Sequence, residues 1–346
     1  MQSSRIYSDF STEIAWIRQE VSRDVQSLNP SIRPLARFYT EERLKVLRSR
    51  NNAGVAEQRT ATPIPYLAFW FADALGLADT RLRRLSGYSL ACSSIAATLR
   101  DDIADSGPAN RSGKLRLASF WDRRGTLALR EVFSSERELR RAVSRADSEW
   151  SKFSRWHSLP LTGPVRRPFS ADFLREASRY YVACSLPSLL AISYAAGRKE
   201  EEHHVERFLT EFAKGWRIVD DLADWEADLH VKDLNRSTIL LYVQNGTGDE
   251  GNLDRTDVLS WLLNGEFVEY VYGIMIVSFR NARRAVACYG NSYIDRYLEE
   301  QIAFEAERRD LVLRSASLGL SDLNGGLVSV LGLRVRPGSL RRMNQL

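Results

Sequence analysis

Apolar residues recur at three- and four-residue spacing along most of this chain, the period of a helix with one buried face. No run sustains the alternation expected of a strand. Ile14, Ile17, Val21 and Val25 mark a first amphipathic helix. Pro63 and Pro65 precede the aromatic run Tyr66 to Phe71, and proline favours a helix start. Gly87 to Arg100 is small and apolar, and Ser106 to Asn110 breaks the helix that follows from it. Further helices are predicted over Leu115 to Phe133, Glu136 to Trp156, Ala171 to Gly197, Val205 to Leu229, Thr256 to Trp261, Phe267 to Tyr289 and Ser292 to Ser315. Pro187 lies inside one of them, so a kink or break is expected there. Pro160, Gly163, Pro164 and Pro168 form the clearest loop. The expected organisation is an N-terminal helical extension (1–60) packing on an all-α domain (61–333), followed by a basic tail (334–346).

Two of these helices turn acidic. Asp101-Asp102-Ile103-Ala104-Asp105 and Asp220-Asp221-Leu222-Ala223-Asp224 repeat one spacing, 220 − 101 = 119 positions apart, and Asp228 extends the second. Residues i and i+4 share a helix face. Asp101 therefore aligns with Asp105, and Asp220 with Asp224 and Asp228. Followed backward, the second face continues through Trp216 and Phe212, from acidic to aromatic. Carboxylates at the end of an apolar face are costly unless positive charge sits among them. Hard divalent cations prefer oxygen ligands, and Mg²⁺ is commonly held by carboxylates together with substrate phosphates. The functional reading is two acidic faces across a cavity, holding two or three Mg²⁺ ions (Mn²⁺ substituting) on a diphosphate. Aromatic faces attract cations, and Phe69, Trp70, Phe212 and Trp216 are the candidates to line the cavity. The alternative, solvated acidic helix faces, stays open for either cluster taken alone.

Composition narrows the remaining classes. The chain has 346 residues, 44% hydrophobic and 27% charged, with a net charge of +5. Its basic residues are scattered apart from Arg334, Arg336, Arg341 and Arg342, and there is no zinc-finger or RNA-binding signature, so no nucleic-acid partner is expected. Three isolated cysteines, Cys92, Cys184 and Cys288, argue for a reducing compartment. No apolar run approaches the ~20 residues needed for a membrane span, so a cytoplasmic location is expected.

The paired aspartate motifs resemble those of the class I isoprenoid synthases, which include trans-prenyl diphosphate synthases and terpene cyclases. The resemblance runs over roughly residues 60–310. It implies a helical bundle of the class I terpenoid synthase type around a deep apolar cavity, Mg²⁺ on Asp101, Asp102, Asp105, Asp220, Asp221, Asp224 and Asp228, and a C15 or C20 prenyl diphosphate as substrate; a homodimer is compatible with it. The first cluster looks like the family's first aspartate-rich motif. The second is similar both to the second motif of prenyl synthases and to the i, i+4, i+8 ligand spacing of cyclases. By the same resemblance Lys232 and Arg179, with Arg175 behind it, would contact diphosphate, and Arg296-Tyr297 matches a pair found in cyclases.

Departures from the elongase pattern choose the branch. The basic element that binds the second diphosphate reads Gln58-Arg59-Thr60-Ala61-Thr62-Pro63 here, with one cation. The Lys-Thr of the broken helix is replaced by Ser185-Leu186, and the Phe-Gln before the second motif is absent, with Arg217-Ile218 nearby. A terpene synthase (cyclase), giving a hydrocarbon or alcohol, is therefore the leading expectation. A prenyl diphosphate synthase and a non-catalytic subunit of the same fold are the alternatives. A di-iron bundle would want Glu-x-x-His pairs on two helices, but Glu200–His203 and Glu201–His204 overlap at one place, which reads as a solvated helix start.

Overall fold

The computed structural model describes residues 8–44, 63–105, 110–158, 171–230, 237–247, 253–290 and 292–317. Among these are twelve α-helices and no strand. They are α1 (Ser11–Ser27), α2 (Arg33–Leu44), α3 (Ile64–Ala74), α4 (Thr80–Asp105), α5 (Arg111–Arg130), α6 (Glu136–Ser158), α7 (Ala171–Ala195), α8 (Glu202–His230), α9 (Thr238–Thr247), α10 (Arg255–Leu262), α11 (Gly265–Ala285) and α12 (Tyr293–Ser317). Short 3₁₀ turns, Lys199–Glu201 and Ala287–Tyr289, precede α8 and follow α11. The all-α class expected from periodicity is the observed one. Helices α2 and α9 were not foreseen. The first carries Pro34 and a run of charged residues, and the second is only ten residues long.

Local chemistry explains several boundaries. Pro63 and Pro65 open α3 where a helix has no need of the missing N–H. Asp254 caps α10, accepting from the Thr256 and Asp257 amides at 2.7 and 2.9 Å, and Asp257 returns the bond to the Asp254 amide at 3.0 Å. Asn264 caps α11 through the Phe267 amide at 3.1 Å. Of the kink or break expected at Pro187, the break does not occur: α7 runs through it as one helix. Leu186, Leu189, Leu190 and Ile192 around it are buried, so packing holds the turn that proline weakens.

Helices α4, α7, α8 and α11 form the middle of the bundle, with Ile95, Leu99, Leu189, Phe208, Val219, Met275 and Phe279 buried between them. Helices α8 and α11 approach closely at Gly215, where a Cβ would lie 2.7 Å from the Phe279 ring. Helix α1 lies on α4 through Ile14, Ile17, Val21 and Val25. It is pinned there by a buried polar group: Asp24 accepts from the Tyr88 hydroxyl and pairs with Arg124 at 2.6 Å. No single helix among the described residues is long and apolar enough to cross a membrane, although α10 and α11, bent by 72°, pass that test as a pair.

Candidate active site

Asp101 and Asp102 stand in the last turn of α4, and Asp220, Asp221, Asp224 and Asp228 in the last three turns of α8. Arg217, one turn before Asp221, connects the two clusters. Its guanidinium pairs with Asp221 at 2.9 Å. Burial works against its charge, yet Asp221, Tyr181, Asp220 and Asp101 together raise its pKa. One buried cation thus lies within electrostatic reach of carboxylates from both helices.

The carboxylates divide into two kinds. The second of each pair is already held by the protein. Asp102 accepts from the Tyr39 hydroxyl and pairs with the Lys114 ammonium at 3.2 Å. Asp221, 3% exposed, takes Arg217 on one oxygen and both the amide and hydroxyl of Thr238 on the other, the amide at 2.8 Å. Its pKa is pushed up to about 6 by burial, against the lowering by Arg217 and Thr238. Asp220 is half-buried and accepts from the Tyr181 hydroxyl at 3.0 Å. Asp228 is raised to about 8, first by burial and then by Asp221, Asp224 and Asp220. Asp224 is exposed.

This crowding is the observation that tests the metal reading. All donors are hard oxygens, and a carboxyl whose pKa is raised to about 8, first by burial and then by like-charged neighbours, marks a place short of positive charge. The set fits Mg²⁺. Asp101, Asp220, Asp224 and Asp228 would be the residues to hold it, whereas Asp102 and Asp221 carry cation and hydroxyl partners of the protein's own. The Asp105 side chain and Lys232 lie outside the described residues.

Below the acidic end runs an aromatic wall. Trp216 and Phe212 have ring centroids 6.2 Å apart, Phe212 and Tyr297 6.4 Å, and Tyr297 and Trp70 4.6 Å. All four are buried. Phe212 precedes Asp220 by eight residues, which at 1.5 Å per residue sets it roughly 12 Å deeper. Phe69, also expected to line the cavity, points elsewhere. It stacks on Phe10 at 5.7 Å and covers Gly87, so it cements α1 and α4 to α3.

Two of the expected diphosphate contacts are not brought to the aspartates. Arg179 places its guanidinium on Glu176, at 2.6 and 2.7 Å, and on Glu149 of α6. It is two residues from Tyr181, about 200° around the helix at 3.6 residues per turn, and therefore on the opposite face. Arg175 pairs with Asp172 at 3.0 Å. Arg296 lies over the Tyr293 ring at 4.5 Å and lowers the pKa of Asp73, which burial raises. That contact is at the far end of α3. Tyr297 contributes its ring to the wall. Arg217, Tyr181, Thr238, Lys114 and Tyr39 are the site residues that sequence reasoning missed. The i, i+4 spacing of Arg217 and Asp221 was the one readable signal.

No family model matches the sequence, and no curated protein matches it. Solved structures do resemble the fold. A geranylgeranyl pyrophosphate synthetase from the archaeon Geoglobus acetivorans superposes with a TM-score of 0.62 at 16% identity, covering 89% of this chain and 99% of its own. A polyprenyl synthase from Caulobacter crescentus, solved with calcium and isoprenyl diphosphate, gives 0.62 at 14% identity over 88% and 97%. A polyprenyl synthase from Roseobacter denitrificans gives 0.63 at 13% identity over 89% and 100%. At these identities the likeness is one of architecture: this chain has the all-helical fold of the class I isoprenoid synthases, the fold that the paired aspartate motifs led us to expect.

Proposed function

We propose that this chain is a divalent-metal-dependent enzyme that ionises an allylic prenyl diphosphate and transfers the prenyl group to a second substrate. The observation that carries the reading is Arg217, which pairs with Asp221 and lies within electrostatic reach of Asp220 of α8 and Asp101 of α4, above the wall of Trp216, Phe212, Tyr297 and Trp70. Mg²⁺ on Asp101, Asp220, Asp224 and Asp228 would supply Lewis acidity and counter-charge for the departing diphosphate. The rest falls to the chain. Arg217 offers a fixed guanidinium to phosphate oxygens without leaving Asp221. Tyr181 orients the Asp220 carboxylate, and Asp221 and Asp102 hold the helix ends in register. The aromatic wall keeps water from the allylic cation, and its ring faces attract positive charge by ~0.5–2 kcal/mol each. Breaking the C1–O bond sends the electron pair to diphosphate. A nucleophilic double bond then closes on C1, and a proton is lost to regenerate an alkene.

The transfer branch is supported by the solved structures of similar fold, which are prenyl synthases and, in one case, carry an isoprenyl diphosphate. One observation favours a second reading. Gln58 to Pro63 hold one basic residue where a second diphosphate would need several, and the buried Ser185-Leu186 offers no cation in the middle of α7. A cyclase needs one diphosphate only. Purified protein with Mg²⁺ and C10 to C25 prenyl diphosphates, with and without isopentenyl diphosphate, separates the two. A longer diphosphate formed only with isopentenyl diphosphate supports transfer, and a hydrocarbon or alcohol without it supports the cyclase. Diphosphate release undiminished by EDTA would refute both.

A further inference from the structure

A second cluster of ligand-type side chains sits at the other end of the bundle. Glu201 closes the 3₁₀ turn before α8, His204 is in the first turn of α8, and Cys288 lies in the 3₁₀ turn between α11 and α12. Their ligating atoms all lie within 4.8 Å of one another, and His204 Nε2 is 4.0 Å from Glu201 Oε2. His204 precedes Asp220 by sixteen residues of one helix, roughly 24 Å, so the cluster is separate from the aspartates.

We infer that Glu201, His204 and Cys288 form a site for Zn²⁺ or a similar borderline transition-metal ion, open at its fourth position. The donor set selects the metal. Thiolate, imidazole and carboxylate are the three side-chain ligands of zinc, and the thiolate disfavours Mg²⁺. The carboxylate is fixed in advance. Glu201 is buried, its Oε1 takes the Arg198 guanidinium at 2.7 Å, and its Oε2 accepts from the Tyr289 hydroxyl at 3.1 Å. Such outer partners orient metal-bound carboxylates, and here they leave Oε2 facing His204. Metal–ligand bonds of 2.0–2.3 Å imply tetrahedral ligand separations of about 3.3–3.8 Å. The cluster must therefore tighten by about an ångström. Cys288 is exposed and His204 partly so, which leaves both side chains room to move. Binding converts the Cys288 thiol to thiolate and releases one proton to solvent. The bound ion would clip the start of α8 to the α11–α12 connection. Sequence inspection alone passes over the site, because its cysteine is far from its histidine in the chain.

Cobalt reports this donor set directly. The full-length chain, stripped with EDTA and returned to excess Mg²⁺, should bind one Co²⁺ with a sulfur-to-cobalt charge-transfer band, and Zn²⁺ should displace it. Cys288→Ser and His204→Ala, each checked for native helical circular dichroism, should lose the band. Tyr289→Phe removes no ligand and should weaken binding by about tenfold. Asp220→Asn should leave the band intact. Absence of the sulfur band, its survival in Cys288→Ser, or its loss in Asp220→Asn would overturn the site. None of these readouts depends on turnover, so the result stands apart from the reaction proposed above.

Discussion

The C-terminal ends of α4 and α8 carry the same D-D-x-x-D spacing, and the fold uses the two copies in parallel. In each, the second aspartate is braced by a cation and a hydroxyl: Lys114 and Tyr39 for Asp102, Arg217 and Thr238 for Asp221. The difference lies in burial. The Asp102 side chain is 35% exposed and its cation comes from the next helix, whereas Asp221 is 3% exposed and its cation lies one turn below on the same helix. The α4 brace can exchange with water. The α8 brace cannot, and it also supplies the first amide of α9 with its acceptor. A repeated motif therefore contains unlike members: second aspartates that each hold a cation and a hydroxyl, and leading aspartates, of which Asp220 takes the Tyr181 hydroxyl.

The comparison breaks most visibly in catalysis. Asp101→Asn and Asp220→Asn should each lower Mg²⁺-dependent diphosphate release by about 10²–10³-fold, the scale for a lost electrostatic contact in a reacting site, with the melting temperature little changed. Diphosphate release in a coupled assay beside a thermal scan checks both halves. Asp221→Asn should behave in the opposite order. It strands a buried guanidinium, which costs about 3–5 kcal/mol, so stability should fall before activity is considered. Asp102→Asn should cost less, because the Asp102 carboxyl is partly open to water where Asp221 is enclosed, and solvent screens the charge of its half-buried pair. Equal losses at Asp102 and Asp221 in urea unfolding would remove the distinction.

Proton linkage sharpens the same contrast. Asp228 has a pKa near 8 in the folded chain against 3.8 ordinarily. The native state therefore holds a proton that the unfolded state has released, and stability of the metal-free protein should decline as pH rises from about 4 to about 8. Asp228→Asn should flatten that decline, and saturating Mg²⁺ should reverse it. Urea midpoints across this range, with and without metal, read the effect. The smallest expected change is at Arg179. Its partners are Glu149 and Glu176 rather than the aspartates, so Arg179→Ala should leave KM for the diphosphate within about twofold while lowering stability by about 1–3 kcal/mol.

Periodicity made the fold readable, because a helix with one buried face writes that face into the sequence every three or four residues. It also placed the acidic ends, since Phe212, Trp216 and Asp220 share a face with both later aspartates. Other features depend on helix phase and on partners distant in the chain. Arg179 sits at the spacing that resemblance favours, yet the helix turns it toward α6. Phe69 and Trp70 are neighbours in sequence but diverge, one to α1 and the other to Tyr297. Tyr39, Lys114 and Thr238 reach the aspartates from three different segments, and nothing local marks them.

Gly215 gives the site an unusual dependence. The Phe279 ring occupies the space a side chain there would need, so the height of α8 against α11 is set by an atom that is missing. Gly215→Ala should push the helices apart at a cost of about 1–3 kcal/mol, carrying Asp220 and Asp224, roughly one and a half and two and a half turns further along, out of alignment with Asp101. A homologue could keep every carboxylate of both motifs and still lose the reaction at this position. Intact motifs are thus weaker testimony to activity in this fold than intact motifs together with a bare backbone beneath them.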